Sequence, residues 1–308
     1  MRTAVCFPGQ ALSPVSDLLG RLKQLSAAGP TVEEGEKFIE RVGSPLSERT
    51  IQQLRTFIAS VASFKVLTEE MNGPVSLLVE HGVGIYAALV SARSMSFHQG
   101  LEIVLMAGDL LDEVADGGDF EMASIVGLNR EELNLVCSVA AESGEVYLAN
   151  INGPTHFVLS GHRKAMAAAC DGANRRGAIE AKLLGVDAPI HTSILESRGR
   201  RLAKQLATVQ FQSPATPIIE HIYGQRIIEC NILDLLSQQL FMPVKWTRVM
   251  DALCREGIDT LIILPPETGL AKSIEADMND ATIISPGEGS DLKAWFEQLA
   301  GLSEWSTM

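Results

Sequence analysis

The chain has 308 residues, 46% of them apolar and only 5% aromatic, so Leu, Ile, Val and Ala must fill the core of one large domain or two smaller ones. A net charge of -13 leaves no excess of Lys and Arg to neutralise phosphates, which argues against a nucleic-acid binder. No apolar run approaches the length of a membrane span, and the N-terminus reaches Pro8 too soon for a signal peptide. Cys6, Cys137, Cys170, Cys230 and Cys254 are an odd set without paired spacing, which predicts buried free thiols in a reducing compartment. No C-x-x-C or H-x-x-x-H spacing suggests a metal. The expectation is a soluble cytoplasmic protein.

Thr3 to Phe7 is a short apolar run ending at P-G, which predicts a buried strand and a loop. Ile51 to Met71 carries helical spacing, Val75 to Val79 is a second apolar run, and Gly84 to Ala92 and Phe97 to Val114 read as helices. The pattern then changes. Glu121 to Leu128 reads as a strand, and Asn129 opens a helix with Glu131 and Glu132 in its first turn, where the helix dipole favours acids. Glu145 to Ile151 and His156 to Leu159 are strand-like, Arg163 to Arg176 is helical, and Ile179 to Leu184 is a last strand. This β-α-β-β-α-β order is the signature of a ferredoxin-like unit inserted into a larger domain. Beyond it, Ser193 to Val209 reads as a basic helix, Ile218 to Tyr223 and Thr260 to Leu264 as strands, and Leu233 to Phe241 and Trp246 to Arg255 as helices. Alternating strands and helices predict an α/β fold with a mostly parallel sheet covered on both faces. The acidic tail after Gly287 is expected at the surface.

The stretch V-E-H-G-V-G-I-Y-A-A-L-V, from Val79 to Val90, has the outline of a strand, a tight turn and a helix. That outline usually presents a catalytic serine, as in G-x-S-x-G. Here the tip is Gly82. Glycine adopts the strained backbone angles of such a turn without steric cost, so the turn survives loss of the serine.

Five motifs follow one another in the chain. They are Phe7-Pro8-Gly9-Gln10, His81-Gly82-Val83-Gly84 with Tyr86-Ala87-Ala88-Leu89, Asn152-Gly153-Pro154, Ala188-Pro189-Ile190-His191-Thr192-Ser193, and Gln239-Leu240-Phe241-Met242-Pro243-Val244-Lys245-Trp246. In order and spacing this resembles the malonyl-CoA:acyl-carrier-protein transacylases and the acyltransferase domains of polyketide synthases. The resemblance covers nearly the whole chain. It implies an α/β-hydrolase-like core, residues 1–118 and 189–308, with an inserted ferredoxin-like subdomain, residues 119–188. It also implies ping-pong acyl transfer through an acyl-serine, with a CoA or phosphopantetheine thioester as substrate and no bound cofactor. The implied partners are acyl carrier protein and acyl-CoA, with megasynthase proteins where the pathway is an assembly. By motif position, His191 is the base, Gly82 occupies the nucleophile position, Gln10 and Val83 supply the oxyanion hole, and Gln239 orients His191. Ala107, His81 and Asn152 fall at substrate-binding positions.

The departures from the family pattern are specific. The serine is Gly82, the glycine before the histidine is Glu80, and the glutamate after the elbow is Ile85. The malonyl-selecting arginine is Ala107, which removes the bidentate partner of a carboxylate and leaves room for a neutral acyl chain. The second glycine of G-Q-G is Ala11, and the N-x-P-G-Q stretch ends in His156. Plainer readings exist for several residues: His81 as a structural hydrogen-bonding residue, Cys6 as a buried hydrophobe, Thr192 and Ser193 as helix caps, and Arg198 to Lys204 as a solvated face or a dock for an acidic carrier protein. Three functions are expected to compete. The chain binds acyl thioesters but is silent for malonyl transfer; it is an active S-acyltransferase or thioester hydrolase, either with a native serine replaced at position 82 or working directly through His191; or it is a structural partner in a multienzyme assembly.

Overall fold

The computed structural model describes every residue except 1, 12, 44–45, 72, 267–268, 272–280, 288–289 and 301–308. Its first sheet contains β1 (Thr3–Phe7), β2 (Leu77–Glu80), β7 (Ile218–Ile219), β9 (Thr260–Ile263) and β10 (Thr282–Ile284), in the spatial order β10-β9-β1-β2-β7. Every pairing in it is parallel. Successive residues of a strand point to opposite faces, so both faces of a covered parallel sheet must be apolar. Val5 and Phe7 face one layer of helices, including α3 (Glu48–Glu70), α4 (Gly84–Ser91) and α5 (Phe97–Ala115). Ala4 and Cys6 face the other layer, where α10 (Trp246–Arg255) contributes Trp246, Val249 and Leu253.

The second sheet is mixed. It contains β3 (Phe120–Val126), β4 (Val146–Gly153), β5 (His156–His162), β6 (Glu180–Leu183) and β8 (Val244–Lys245), in the order β6-β3-β5-β4-β8. Its pairs are antiparallel except β4 with β8. One face, with Ala123, Ile125, Phe157 and Leu159, packs under α6 (Arg130–Ala140) and α7 (Arg163–Arg175). The opposite face is open and looks toward the first sheet's loops. Asn129 caps α6 as its position predicts: its side chain accepts from the Glu131 and Glu132 backbone, and Glu132 reaches back to the Asn129 N–H.

Several expectations are corrected. The strand Ile218 to Tyr223 keeps only two residues. Glu220 turns the chain, its carboxylate accepting from the backbone N–H groups of Ile222, Tyr223 and Gln225 at 2.6–3.1 Å. The helix Ser193 to Val209 is a 3-10 turn, Ser193–Leu195, followed by α8 (Glu196–Gln205). Three further helices were not anticipated: α1 (Ser16–Leu22), α2 (Gly29–Val42) and α11 (Leu292–Ala300). The last lies in the tail that reads as surface, yet Trp295 and Phe296 are buried in the main core; residues 288–289 and 301–308 of that tail lie outside the described residues. All five cysteines are free, and Cys6 and Cys170 are buried, but Cys230 and Cys254 are exposed. Among the described residues no helix is long and apolar enough to cross a membrane, and no cluster of His, Cys, Asp and Glu could hold a metal.

Candidate functional site

β2 ends at Glu80 and α4 begins at Gly84, so three residues make the turn between them. The turn is held against β1 by the His81 N–H, which donates to Phe7 O at 3.0 Å. Gly84 N–H in turn donates to His81 O at 3.1 Å. A Cβ on Gly84 would sit 2.3 Å from Phe7 O, so the close approach of α4 to β1 requires glycine there. Gly82, at the tip, has φ +55°.

His191 comes to this tip from the segment that returns from β6. Its own φ is +60°, a left-handed conformation for a residue with a Cβ, and its N–H donates to Leu240 O at 2.9 Å. The residue is 7% exposed. Its Nε2 lies 3.3 Å from where a Cβ on residue 82 would stand. Burial, followed by the neighbouring His221 and His81 rings, pushes the His191 pKa down to about 3, against the opposing pull of the Gln239 and Met242 backbone. The ring is therefore neutral at pH 7. Its Nδ1 makes no hydrogen bond of normal geometry.

The other predicted positions gather around these two, with one exception. Gln10, His81, Gly82, Val83, Asn152, His191 and Gln239 all line one cavity of about 530 Å³ between the two sheets. His81 Nε2 lies 3.2 Å from Asn152 Oδ1, and burial lowers the ring's pKa to about 4. Gln10 Oε1 accepts weakly from Gln53 at 3.4 Å. Gln239 is buried, and its side-chain amide donates to the Tyr86 hydroxyl. Ala107 is the exception: it is buried in α5 within the main core and does not line the cavity. Cys6, Thr192 and Ser193 do not line it either. In the basic run, Arg198 and Arg201 both reach Glu113 and Arg200 pairs with Glu196, so much of its charge is engaged on the chain itself.

Beneath the elbow lies a pair that sequence reasoning did not assemble. Glu80 and His221 are both fully buried. Glu80 Oε2 is 2.6 Å from His221 Nδ1, and Glu80 Oε1 accepts from the His221 N–H at 2.9 Å. Burial raises the Glu80 pKa while His221 holds it down. The His221 ring meets the His191 ring edge-on, with centroids 5.8 Å apart. The departure at position 80 was the available signal; its partner was hidden in a segment that reads as strand.

Comparison with known proteins places this arrangement. No family model matches the chain. The malonyl CoA-acyl carrier protein transacylase of Escherichia coli (strain K12) is 29% identical over 306 residues, covering 92% of this chain and 96% of that protein. That of Bacillus subtilis (strain 168) is 27% identical, covering 92% and 94%. The crystal structure of the acyl-carrier-protein S-malonyltransferase from Burkholderia pseudomallei 1710b superposes with a TM-score of 0.84 at 26% identity, over 96% of this chain and all of that one. The chain is a relative of the malonyl CoA-acyl carrier protein transacylases. A second structural neighbour, at TM-score 0.81 and 25% identity over 97% of this chain and all of the other, is a malonyl-transacylase in complex with its holo type II polyketide synthase acyl-carrier protein. In this chain a left-handed glycine faces the histidine of the cleft, and a carboxylate–imidazole pair lies below the turn.

Proposed function

We propose that the chain binds acyl thioesters of CoA or of acyl carrier protein in this cleft and forms no acyl-enzyme at position 82. One observation carries the reading: the elbow, the buried His191 and the cavity are kept together, while the tip facing His191 Nε2 at 3.3 Å is a glycine. Glycine has no oxygen to acylate. The cleft is open rather than filled by side chains, which favours ligand binding over a purely structural partner. In this reading the backbone N–H groups of Gln10 and Val83 hold the thioester oxygen, and the backbone carbonyl of Gln239 orients His191. Residues 1–118 and 189–308 act as the core and 119–188 as the inserted subdomain that closes the cleft. The setting is cytoplasmic fatty-acid or polyketide biosynthesis, and the carrier-protein complex of the structural neighbour supports a carrier protein as partner.

A second reading, direct hydrolysis or transfer, rests on geometry: His191 Nε2 faces the vacant tip at 3.3 Å, although a pKa held near 3 makes the ring a weak base at pH 7. Intact-protein mass measurement separates the two. The chain and its Gly82→Ser variant are mixed with a panel of acyl-CoAs and acyl-carrier proteins while thioester loss is followed in parallel. The expected result is an acyl adduct on the Gly82→Ser protein alone, with the unaltered chain binding without turnover. Thioester loss by the unaltered chain, abolished by His191→Ala, would replace the binding reading with the direct one. Absence of both binding and reaction would reject the cleft as an acyl site.

A further inference from the structure

The open face of the second sheet forms the wall of the cavity opposite the elbow. Much of that wall is aliphatic, with Met122, Val126, Val158, Leu184, Val186 and Ile190 turned into the cleft. Among the described lining residues Lys182 is the one lysine or arginine, and its Nζ lies 2.5 Å from Glu180 Oε1. The one described cation of the wall is thus already engaged with a carboxylate of the same strand. At the end of β3 and the start of β5 stands a polar pair, with Lys182 and Glu180 opposite it on β6. Val126 is paired with His156 across β3 and β5, and Ser124, two residues earlier on β3, shares their face. Ser124 Oγ and His156 Nε2 are 3.3 Å apart. His156 occupies the place where the resembled motif ends in glutamine.

We infer that Ser124 and His156 recognise a neutral oxygen substituent on the acyl chain, so that the cleft takes hydroxylated acyl thioesters in preference to malonyl and to plain alkyl ones. This inference rests on the cleft being an acyl-thioester site. Ser124 keeps a free hydrogen-bonding function in either tautomer of His156. If Nε2 accepts, the serine donates to it and keeps lone pairs for a ligand O–H. If Nε2–H donates, the serine O–H is left for a ligand oxygen. A hydroxyl, being both donor and acceptor, satisfies each case. A carboxylate does not. Burial, outweighing the nearby Glu180, holds the His156 ring below its ordinary range, so it brings no charge at pH 7. Lys182 is already paired, and position 107 is an alanine outside the cavity. A malonyl carboxylate would meet an aliphatic wall whose one described lysine is already engaged with Glu180, which is costly.

The test is calorimetric titration of the chain with CoA, butyryl-CoA, malonyl-CoA and the 2-, 3- and 4-hydroxybutyryl-CoAs. The tightest hydroxy isomer is expected to bind about 3- to 10-fold more tightly than butyryl-CoA, the range one net hydrogen bond supplies. Malonyl-CoA is expected to be the weakest acyl ligand. In Ser124→Ala, and separately in His156→Phe, the hydroxyacyl-to-butyryl affinity ratio should fall to about one. The ratio is internal to each protein, so a variant that binds butyryl-CoA at all reports on the pair and not on folding. Malonyl-CoA binding as tightly as butyryl-CoA overturns the inference. So does a ratio near one in the unaltered chain, or a ratio that survives both substitutions. If butyryl-CoA, malonyl-CoA and free CoA all fail to bind, the underlying reading of the cleft fails, and the inference falls with it.

Discussion

Gly82 holds φ at +55°, and a Cβ built there would meet His191 Nε2 at 3.3 Å. Residues with a Cβ pay about 1–2 kcal/mol for the left-handed region. Gly82→Ala should therefore lower stability by about 1–2 kcal/mol, read as a lower urea midpoint with unchanged m-value. An unchanged midpoint would mean that the turn relaxes out of its left-handed conformation. At this scale the sequence was a good guide wherever a residue sat inside a contiguous motif. The elbow, His191, Gln10, Gln239 and Asn152 all come to one cavity because each lies in a loop or at the end of an element at the edge of the cleft, Asn152 at the end of β4. Ala107 does not follow them: an arginine is long enough to reach a cleft from a helix, whereas an alanine at the same position ends in the core. His221 was missed for a different reason. Its neighbour Glu220 bends the chain by side-chain hydrogen bonds to its own backbone, and only that bend brings the His221 ring to Glu80 and His191.

Among the elements, the long periodic ones were legible. α5, α6, α7 and α10 bury one continuous face and α3 is buried all round from Thr56 to Phe64, and the apolar spacing of each announces a helix. β8 and β10 are two and three residues long and exist through pairing with other strands, so no local signal marks them, whereas β7 was read as a strand but made too long. α2 was illegible because its buried positions include Gly29, Thr31 and Gly35 in place of a full apolar stripe. α11 was misjudged from its acidic and glycine-rich surroundings. Its Phe296 is 1% exposed and belongs to the same core as α3. Phe296→Ala should cost about 3–5 kcal/mol, measured by denaturant unfolding. A cost below about 1 kcal/mol would instead be the value typical of a surface substitution and would detach the helix from the core.

Across the whole molecule, the two sheets press three histidines into their shared cleft, and their contribution to stability has a pH dependence of known sign. His191 and His81 have folded pKa values near 3 and 4 against an ordinary 6.5, and burial lowers His156 as well. The unfolded chain therefore takes up protons first as pH drops, and stability falls with it from about pH 7 downward. Glu80 acts oppositely, since a raised folded pKa favours the folded state on acidification. So does relief of the repulsion carried by a net charge of -13. Carboxylates held low by arginine, such as Asp187 and Glu256, contribute only at more acidic pH. A single variant separates these terms. In His191→Asn the charge background and Glu80 are retained, while one buried neutral imidazole is gone. Between pH 7.5 and 5 the urea-derived stability of the unaltered chain should fall more steeply than that of the variant, by up to one proton in the linkage slope. Parallel slopes would mean that His191 titrates in the folded state as freely as in the unfolded one. The ring would then be open to water, and the sealed contact between His191 and the glycine tip would not exist in solution.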